Sequence, residues 1–367
     1  MTHHPSSHGR HVEVDSLEQF DVLVRAGSTS MAGWRVQDLD LRGRGRELTG
    51  LDPAGALFLG CDLDPGDEQS LRGRGALLFP DVPDLPFNPY RSGLYSPAEL
   101  YAGLDDGYDH TADARIYVWS GQRDVGVTAT LAQSLHDFAV DEALTEYVAH
   151  RRLVGVMGGH AVRRDSAVYA DAARLGRALA AAGLGVATGG GPGAMEAANL
   201  GAAAHPMSDE DLDGALEELA GVPDFRPSVT AWAECAFRVA DRLPRDVPTL
   251  GIPTWFYGHE PPNIFAADVA KYFRNALRED TLLRVCSAGI VFLPGAAGTV
   301  QEIFQDGCEN YYASPGARTP MVLLGREHWT RTLPAWPLLE SMAEAAGFTD
   351  SVRLVDTWQE AVQVLTG

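Results

Sequence analysis

From Arg151 onward the chain alternates short apolar runs with long helical patterns, and three of the runs end in clusters of glycine. Leu153–Met157 is followed by Gly158-Gly159. Leu184–Ala187 is followed by Gly189-Gly190-Gly191-Pro192-Gly193. Gly289–Leu293 is followed by Pro294-Gly295-Ala296-Ala297-Gly298-Thr299. Further strands are expected at Thr249–Ile252, Met321–Leu324 and Val352–Val355. Helices are expected from Asp165 or Ser166 to Gly183, through Ala204, over Ser208–Leu219, around Val229–Arg242, over Phe265–Leu277 and from near Thr299. Strands that alternate with helices make a parallel sheet covered on both faces, the doubly wound α/β class. Ligands of that class bind at the carboxyl ends of the strands.

The residues before Arg151 have a different texture, irregular and rich in Gly, Pro and Asp. We divide the chain into a disordered start (1–12), an N-terminal accessory domain (13–148) that is β-rich or mixed, and a catalytic domain (149–367). Leu41-Arg42-Gly43-Arg44-Gly45 recurs as Leu71-Arg72-Gly73-Arg74-Gly75. The expectation is two equivalent turns. The sharper alternative is a pair of loops whose arginines hold an anion, such as a regulatory nucleotide. Ser96-Pro97-Ala98-Glu99 has the form of a capping box with proline at N1 and predicts a helix start. A second helix is expected from Val127 to Val148.

Charge narrows the function classes. There are 29 basic and 50 acidic residues, a net charge of −21. Such a surface disfavours a nucleic-acid partner, whose phosphates need Lys and Arg, and an anionic membrane surface. Lys271 is the single lysine, and no Gly-Lys-Ser/Thr phosphate loop exists. Lysine chemistry, a pyridoxal-phosphate Schiff base included, would rest on Lys271. No cofactor and no metal site is expected. The cysteines are scattered without a C-x-x-C pair and read as reduced thiols. His3, His4, His8 and His11 lie in the polar start. No apolar run is long enough to span a membrane, and the first thirty residues lack a signal-peptide core, so a cytoplasmic protein is expected.

The glycine clusters carry the chemistry. Glycine lets the backbone approach a phosphate, and a helix starting just after it aims N–H groups at the anion. The dinucleotide pattern is absent, because position 194 is Ala where Gly-x-Gly-x-x-Gly needs its third glycine. A mononucleotide is therefore preferred to NAD.

Gly189–Asn199 resembles the "GGGPGxMEAAN" segment of Lonely-guy (LOG)-type proteins, and Pro294–Glu302 resembles their second signature, "PGGxGTxxE". Glu260-Pro261-Pro262-Asn263 is similar to a segment of larger bacterial nucleotide nucleosidases of that group. The resemblance spans about residues 150–330. It implies a Rossmann-like fold, a homodimer or higher homo-oligomer, and hydrolysis of a nucleoside 5′-monophosphate to free base and ribose 5-phosphate. By the resemblance, Glu302 is the catalytic carboxylate and Arg278 its partner on phosphate or ribose, with Arg274 in reserve. Arg284 then lines up with a further family arginine. The family spacing itself falls on Glu279, which is acidic. Substrate binding is expected from Gly158, Gly159, Gly189, Gly190, Gly191, Gly193, Met195, Glu196, Glu260, Asn263, Gly295, Gly298 and Thr299. Ala296 departs from the motif's second glycine. That departure and the shifted arginine keep open a non-catalytic nucleotide-binding protein.

Hydrolysis of an N-glycosidic bond develops positive charge on the ribose, which calls for a carboxylate close to C1′. Placed in the first turn of its helix, Glu302 would be favoured as the anion by the helix dipole. Asp306 and Glu309 share its helix face, which is expected to be a solvated or interface surface. Tyr311-Tyr312 and Trp255-Phe256-Tyr257 are lesser candidates for stacking a base.

Overall fold

The structure is a computed structural model and describes residues 12–121, 126–244, 247–256 and 260–367. The four histidines of the start and Tyr257 lie outside the described residues. Two compact units emerge. One comprises the residues up to Gly93 with the helix Val127–Val148 as far as Val140. The other comprises Leu94–121 and Asp141–Gly367. Residues 94–121, read from the sequence with the accessory region, thus pack within the second unit.

The first unit is a mixed α/β stack. Strands β1 (Val12–Val14), β2 (Trp34–Gln37), β3 (Leu57–Leu59) and β4 (Leu77–Phe79) pair in parallel, in chain order. Short helices, Leu17–Arg25, Gly45–Gly50 and Pro65–Gly73, connect them. Gly33, Gly55 and Gly75 precede successive strands, all with positive φ (78°, 80° and 94°). Gly33 N–H donates to the Gly55 carbonyl and Gly55 N–H to that of Gly75.

The true repeat is therefore glycine followed by an apolar strand, and it corrects the expectation drawn from Leu-Arg-Gly-Arg-Gly. The first copy of that pentapeptide lies between β2 and the next helix, and the second ends the helix Pro65–Gly73. They are not equivalent turns. Their arginines are spent locally. Arg42 pairs with Asp40 and Asp62, Arg44 with Asp21, Arg72 with Glu68, and Arg74 donates to the Leu48 and Leu51 carbonyls. Trp34, Val36, Phe58, Leu41 and Leu71 form the core of the stack.

The second unit is a seven-stranded, all-parallel Rossmann-like sheet. Its strands are β5 (Leu153–Met157), β6 (Gly185–Thr188), β7 (Thr249–Gly251), β8 (Asp268–Val269), β9 (Ile290–Phe292), β10 (Met321–Leu324) and β11 (Val352–Val355). The spatial order is β11-β10-β9-β5-β6-β7-β8. The chain works outward from β5 to one edge, then returns to β9 on the other side of β5. That reversal opens a crevice at the carboxyl ends of β5 and β9. Val154, Val156, Val186, Val291 and Phe292 are fully buried, as a sheet covered on both faces requires.

The helix start expected at Ser96 is present, capped by the Ser96 hydroxyl, and opens a single turn, Pro97–Leu100. One expectation fails here. Phe265–Leu277 is not a helix: Asp268 and Val269 form β8, and the helix runs instead over Asn275–Val285. Phe265, Ala266, Val269, Ala270, Tyr272 and Phe273 are all buried. Their spacing suits an apolar helix face equally well. Bonding to β7 decides for the strand: Ala270 N–H donates to the Gly251 carbonyl. Among the described residues, no helix is long and apolar enough to cross a membrane.

Lys271 sits in this irregular stretch, 1% exposed, with its ammonium 2.6 Å from Asp113 Oδ1. Asp113 also accepts from Trp255 Nε1 (2.8 Å) and Tyr108 OH (2.7 Å). Burial pushes the Lys271 amine down, and the Asp113 carboxylate opposes that shift. This ion pair, rather than Schiff-base chemistry, accounts for the one lysine. Removing one partner of a buried pair leaves an uncompensated charge. Lys271→Met should therefore cost about 3–5 kcal/mol in urea unfolding; a loss below about 1 kcal/mol would show that the pair does not hold this wall.

Candidate functional site

The glycine clusters after β5, β6 and β9 meet in one cleft of about 400 Å³ at the carboxyl ends of the strands. Its walls carry Gly158, Gly189, Gly191, Met195, Glu260, Arg278, Gly298, Thr299 and Glu302, all expected from the sequence. They also carry residues that were not among the expected site residues, including His160, Thr254, Asn275, Glu279 and Gln301.

The other expected residues build the walls from behind. Asn263 is 1% exposed. Its N–H donates to the Gly190 carbonyl (2.9 Å) and its Nδ2 to Asn199 Oδ1 (3.1 Å), so it staples the glycine loop. Gly190 backs onto Pro253, Gly159 onto Ala194, and Gly295 onto Thr299. Glu196 is fully buried in an ion pair with Arg164 and lines an adjoining pocket of about 210 Å³ that shares His160 and Glu260 with the cleft. Gly193 has φ 78° and ψ −135°, and a Cβ there would collide with the Gly159 carbonyl oxygen. These glycine and polar positions shape the loops and do not face the main cleft.

The two helix starts differ. At the helix Ala194–Ala203, the first N–H is already committed, donating to the Gly159 carbonyl (3.0 Å). At the helix Ala297–Tyr312 no side chain caps the N-terminus. The N–H groups of Ala297, Gly298 and Thr299 have no acceptor among the described residues. Beside them, no atom comes within 4 Å of a Cβ built on Gly298. An anion fits that start, where free N–H groups and the helix dipole act together. Ala296 takes the extended conformation (φ −117°), so a methyl group replaces the motif's glycine without strain.

Arg278 crosses the cleft floor. Its Nε donates to the Ile252 carbonyl (2.6 Å) and its Nη2 to the Gly189 carbonyl (3.3 Å). Its Nη1 lies 2.8 Å from Glu279 Oε1 and 3.6 Å from Glu302 Oε1. Arg274, the reserve, is exposed at the start of the same helix, and Arg284 pairs with Asp141 at 3.2 Å.

Glu302 falls in the second turn of its helix, not the first, which weakens the expected dipole effect. Its carboxyl is raised to about 7, chiefly by burial; the Arg278 guanidinium opposes the shift and the neighbouring Glu279 adds to it. Asp306 corrects a second expectation. It is 2% exposed rather than solvated, and burial holds its carboxyl far above the usual range. Among the described residues, no group of acidic, His or Cys side chains is placed to hold a metal. The aromatic candidates stand away from the cleft walls. Trp255 is buried against Asp113, while Phe256, Tyr311 and Tyr312 are exposed.

Comparison with known proteins places residues 151–206 in a match to the SLOG cluster4 family. That segment holds β5, β6 and the Gly189–Asn199 motif, and the match supports the Lonely-guy-type resemblance. No curated protein matches the chain. Among solved structures it is similar to the molybdenum cofactor binding protein from the phototrophic bacterium Rippkaea orientalis. The identity is 16% over 59% of this chain and 96% of that one, with a TM-score of 0.36. The molybdenum cofactor carrier protein from Chlamydomonas reinhardtii gives 16% identity, the same coverage and a TM-score of 0.34.

Two predictions follow from this geometry. Gly193→Ala should cost more than about 3 kcal/mol, because backbone and neighbour both forbid a Cβ. Gly298→Ala should stay within about 1 kcal/mol of the parent while obstructing the helix start. Chemical denaturation of both variants checks the contrast, and equal losses would refute it. The second concerns pH. A carboxyl raised in the folded state favours folding below its unfolded pKa, and that contribution fades as pH rises to about 7. Glu302→Gln should therefore gain on the parent by about 3 kcal/mol between pH 5 and pH 8. A gap independent of pH, read from paired melting curves, would contradict the raised carboxyl.

Proposed function

We propose that this protein hydrolyses the N-glycosidic bond of a nucleoside 5′-monophosphate, giving free base and ribose 5-phosphate. The observation that carries the reading is the uncapped start of the helix Ala297–Tyr312, sharing one cleft with Arg278 and Glu302. A 5′-phosphate would sit on the N–H groups of Ala297, Gly298 and Thr299. The ribose would then lie toward Glu302, whose carboxylate opposes the charge that develops at C1′ and orients a water. Arg278 would hold the carboxylate in place and supply the cleft's positive charge. Its planar fork suits that role, with two nitrogens already fixed on backbone carbonyls.

The SLOG match and the glycine loops support a nucleotide-related function. A cytoplasmic homo-oligomer is the setting we propose, with the nucleotide as sole substrate and no cofactor. The test is incubation of the full-length protein with purine, pyrimidine and cytokinin monophosphates, with free base measured by chromatography. Release should occur with at least one of them and fall at least 100-fold in Glu302→Ala. Tight binding without release would favour a nucleotide sensor, and undiminished release in the variant would remove Glu302 from the mechanism.

A further inference from the structure

Glu279 entered the sequence reading only as the place where a family arginine was missing, yet it forms part of the cleft wall beside Glu302. Both side chains are about nine-tenths buried, 8% exposed for Glu279 and 10% for Glu302. Arg278 Nη1 faces both, at 2.8 and 3.6 Å. Glu279 Oε1 also accepts from Asn275 Nδ2 (3.3 Å). Its Oε2 is buried with no donor among the described residues.

One guanidinium cannot neutralise two buried carboxylates, and like charges this close do not both ionise readily. One proton shared by the two groups removes the excess charge, and Glu279 Oε2, buried without a donor, is an oxygen that can carry it. We propose that Glu279 is a second catalytic group of the cleft, acting with Glu302 as a carboxyl pair that holds one proton between them. This rests on the hydrolase reading above.

The pair balances the reaction. The protonated member gives its proton to a ring nitrogen of the departing base as the C1′–N bond breaks. The ionised member opposes the ribosyl charge. Water then forms the new C1′–O bond and loses a proton to a carboxylate, so the pair again holds one proton. Groups that contact the pair are Arg278 and Asn275 on the helix Asn275–Val285; the Cys286 thiol just past that helix lies near enough Glu302 and Asp306 to feel their charge, and Asp306 follows Glu302 by one turn. Across the cleft stand His160 and Glu260. Two groups that share a proton titrate as a unit, in two steps that belong to the pair.

A mere counter-ion for Arg278 makes a different prediction. Substituting it would alter substrate binding and leave the pH profile intact. The test is kcat and KM against pH for the full-length parent, Glu279→Gln and Glu279→Asp, using whichever monophosphate the parent cleaves. The parent should give a bell. Glu279→Gln should lose its alkaline limb, keep an acid limb near the parent's and drop kcat by about 100-fold, with KM within about threefold. Glu279→Asp should keep both limbs. A bell that survives in Glu279→Gln, or a change confined to KM, overturns the pair. Carboxyl carbon NMR of glutamate-labelled protein gives a readout independent of turnover. The pair predicts two coupled steps in the parent and one step near the lower of them in Glu279→Gln, and an unchanged titration of Glu302 overturns it. Coupled titration without release of any base would sink the hydrolase reading and leave the pair standing.

Discussion

Arg278 is the interaction on which the geometry of the cleft depends. Its guanidinium is tied to the backbone just past β7 and β6 and to two carboxyl groups on different helices. A lysine could not make this set of contacts, because it lacks a planar fork. The charge count around it explains the rest of the electrostatics. One cation faces two buried acids, so burial and mutual repulsion govern Glu302 more than the helix dipole does. The helix Asn275–Val285 starts directly after Arg274, and that start sets Arg278 one turn in, with Glu279 beside it.

The sheet supplies what a side chain does not. Its order reverses between β5 and β9, and the glycine loops after β5, β6 and β9 converge at that reversal. One helix start there is already used, by the Gly159 carbonyl, and the other is free. This asymmetry gives an acidic chain a place for a small anion. A net charge of −21 disfavours the broad basic surface that a polyanion needs. It does not weaken a few aligned N–H groups at the start of one helix.

Much of this was legible in the sequence, and the failures have physical causes. β5, β10 and β11 were placed to the residue: β5 and β10 read as unbroken apolar runs, as buried parallel strands do, and the edge strand β11 has apolar residues around one exposed arginine, Arg353. The region around β8 misled because a strand of two residues has no period of its own, and bonding to β7 decides its conformation. The pentapeptide repeat misled because identical letters fell on different elements, while the real repeat lay in glycines before strands. Asn263 and Gly193 were placed in the right loops but expected to touch substrate. The motif marks positions where the loop must close on itself as well as positions that face the cleft, and these two belong to the first kind. Glu279 was missed for another reason. Its significance comes from Arg278 and Glu302 meeting it in space, and Glu302 lies on another helix.

If the free start of the helix Ala297–Tyr312 holds a phosphate with C1′ turned toward Glu302, a crystal structure of Glu302→Gln with a nucleoside 5′-monophosphate bound shows it most directly. Phosphate oxygens should then lie within hydrogen-bond reach of the N–H groups of Ala297, Gly298 and Thr299, with C1′ beside residue 302. A nucleotide bound with its phosphate on the Gly189–Gly193 loop, or with its sugar turned away from residue 302, would contradict it.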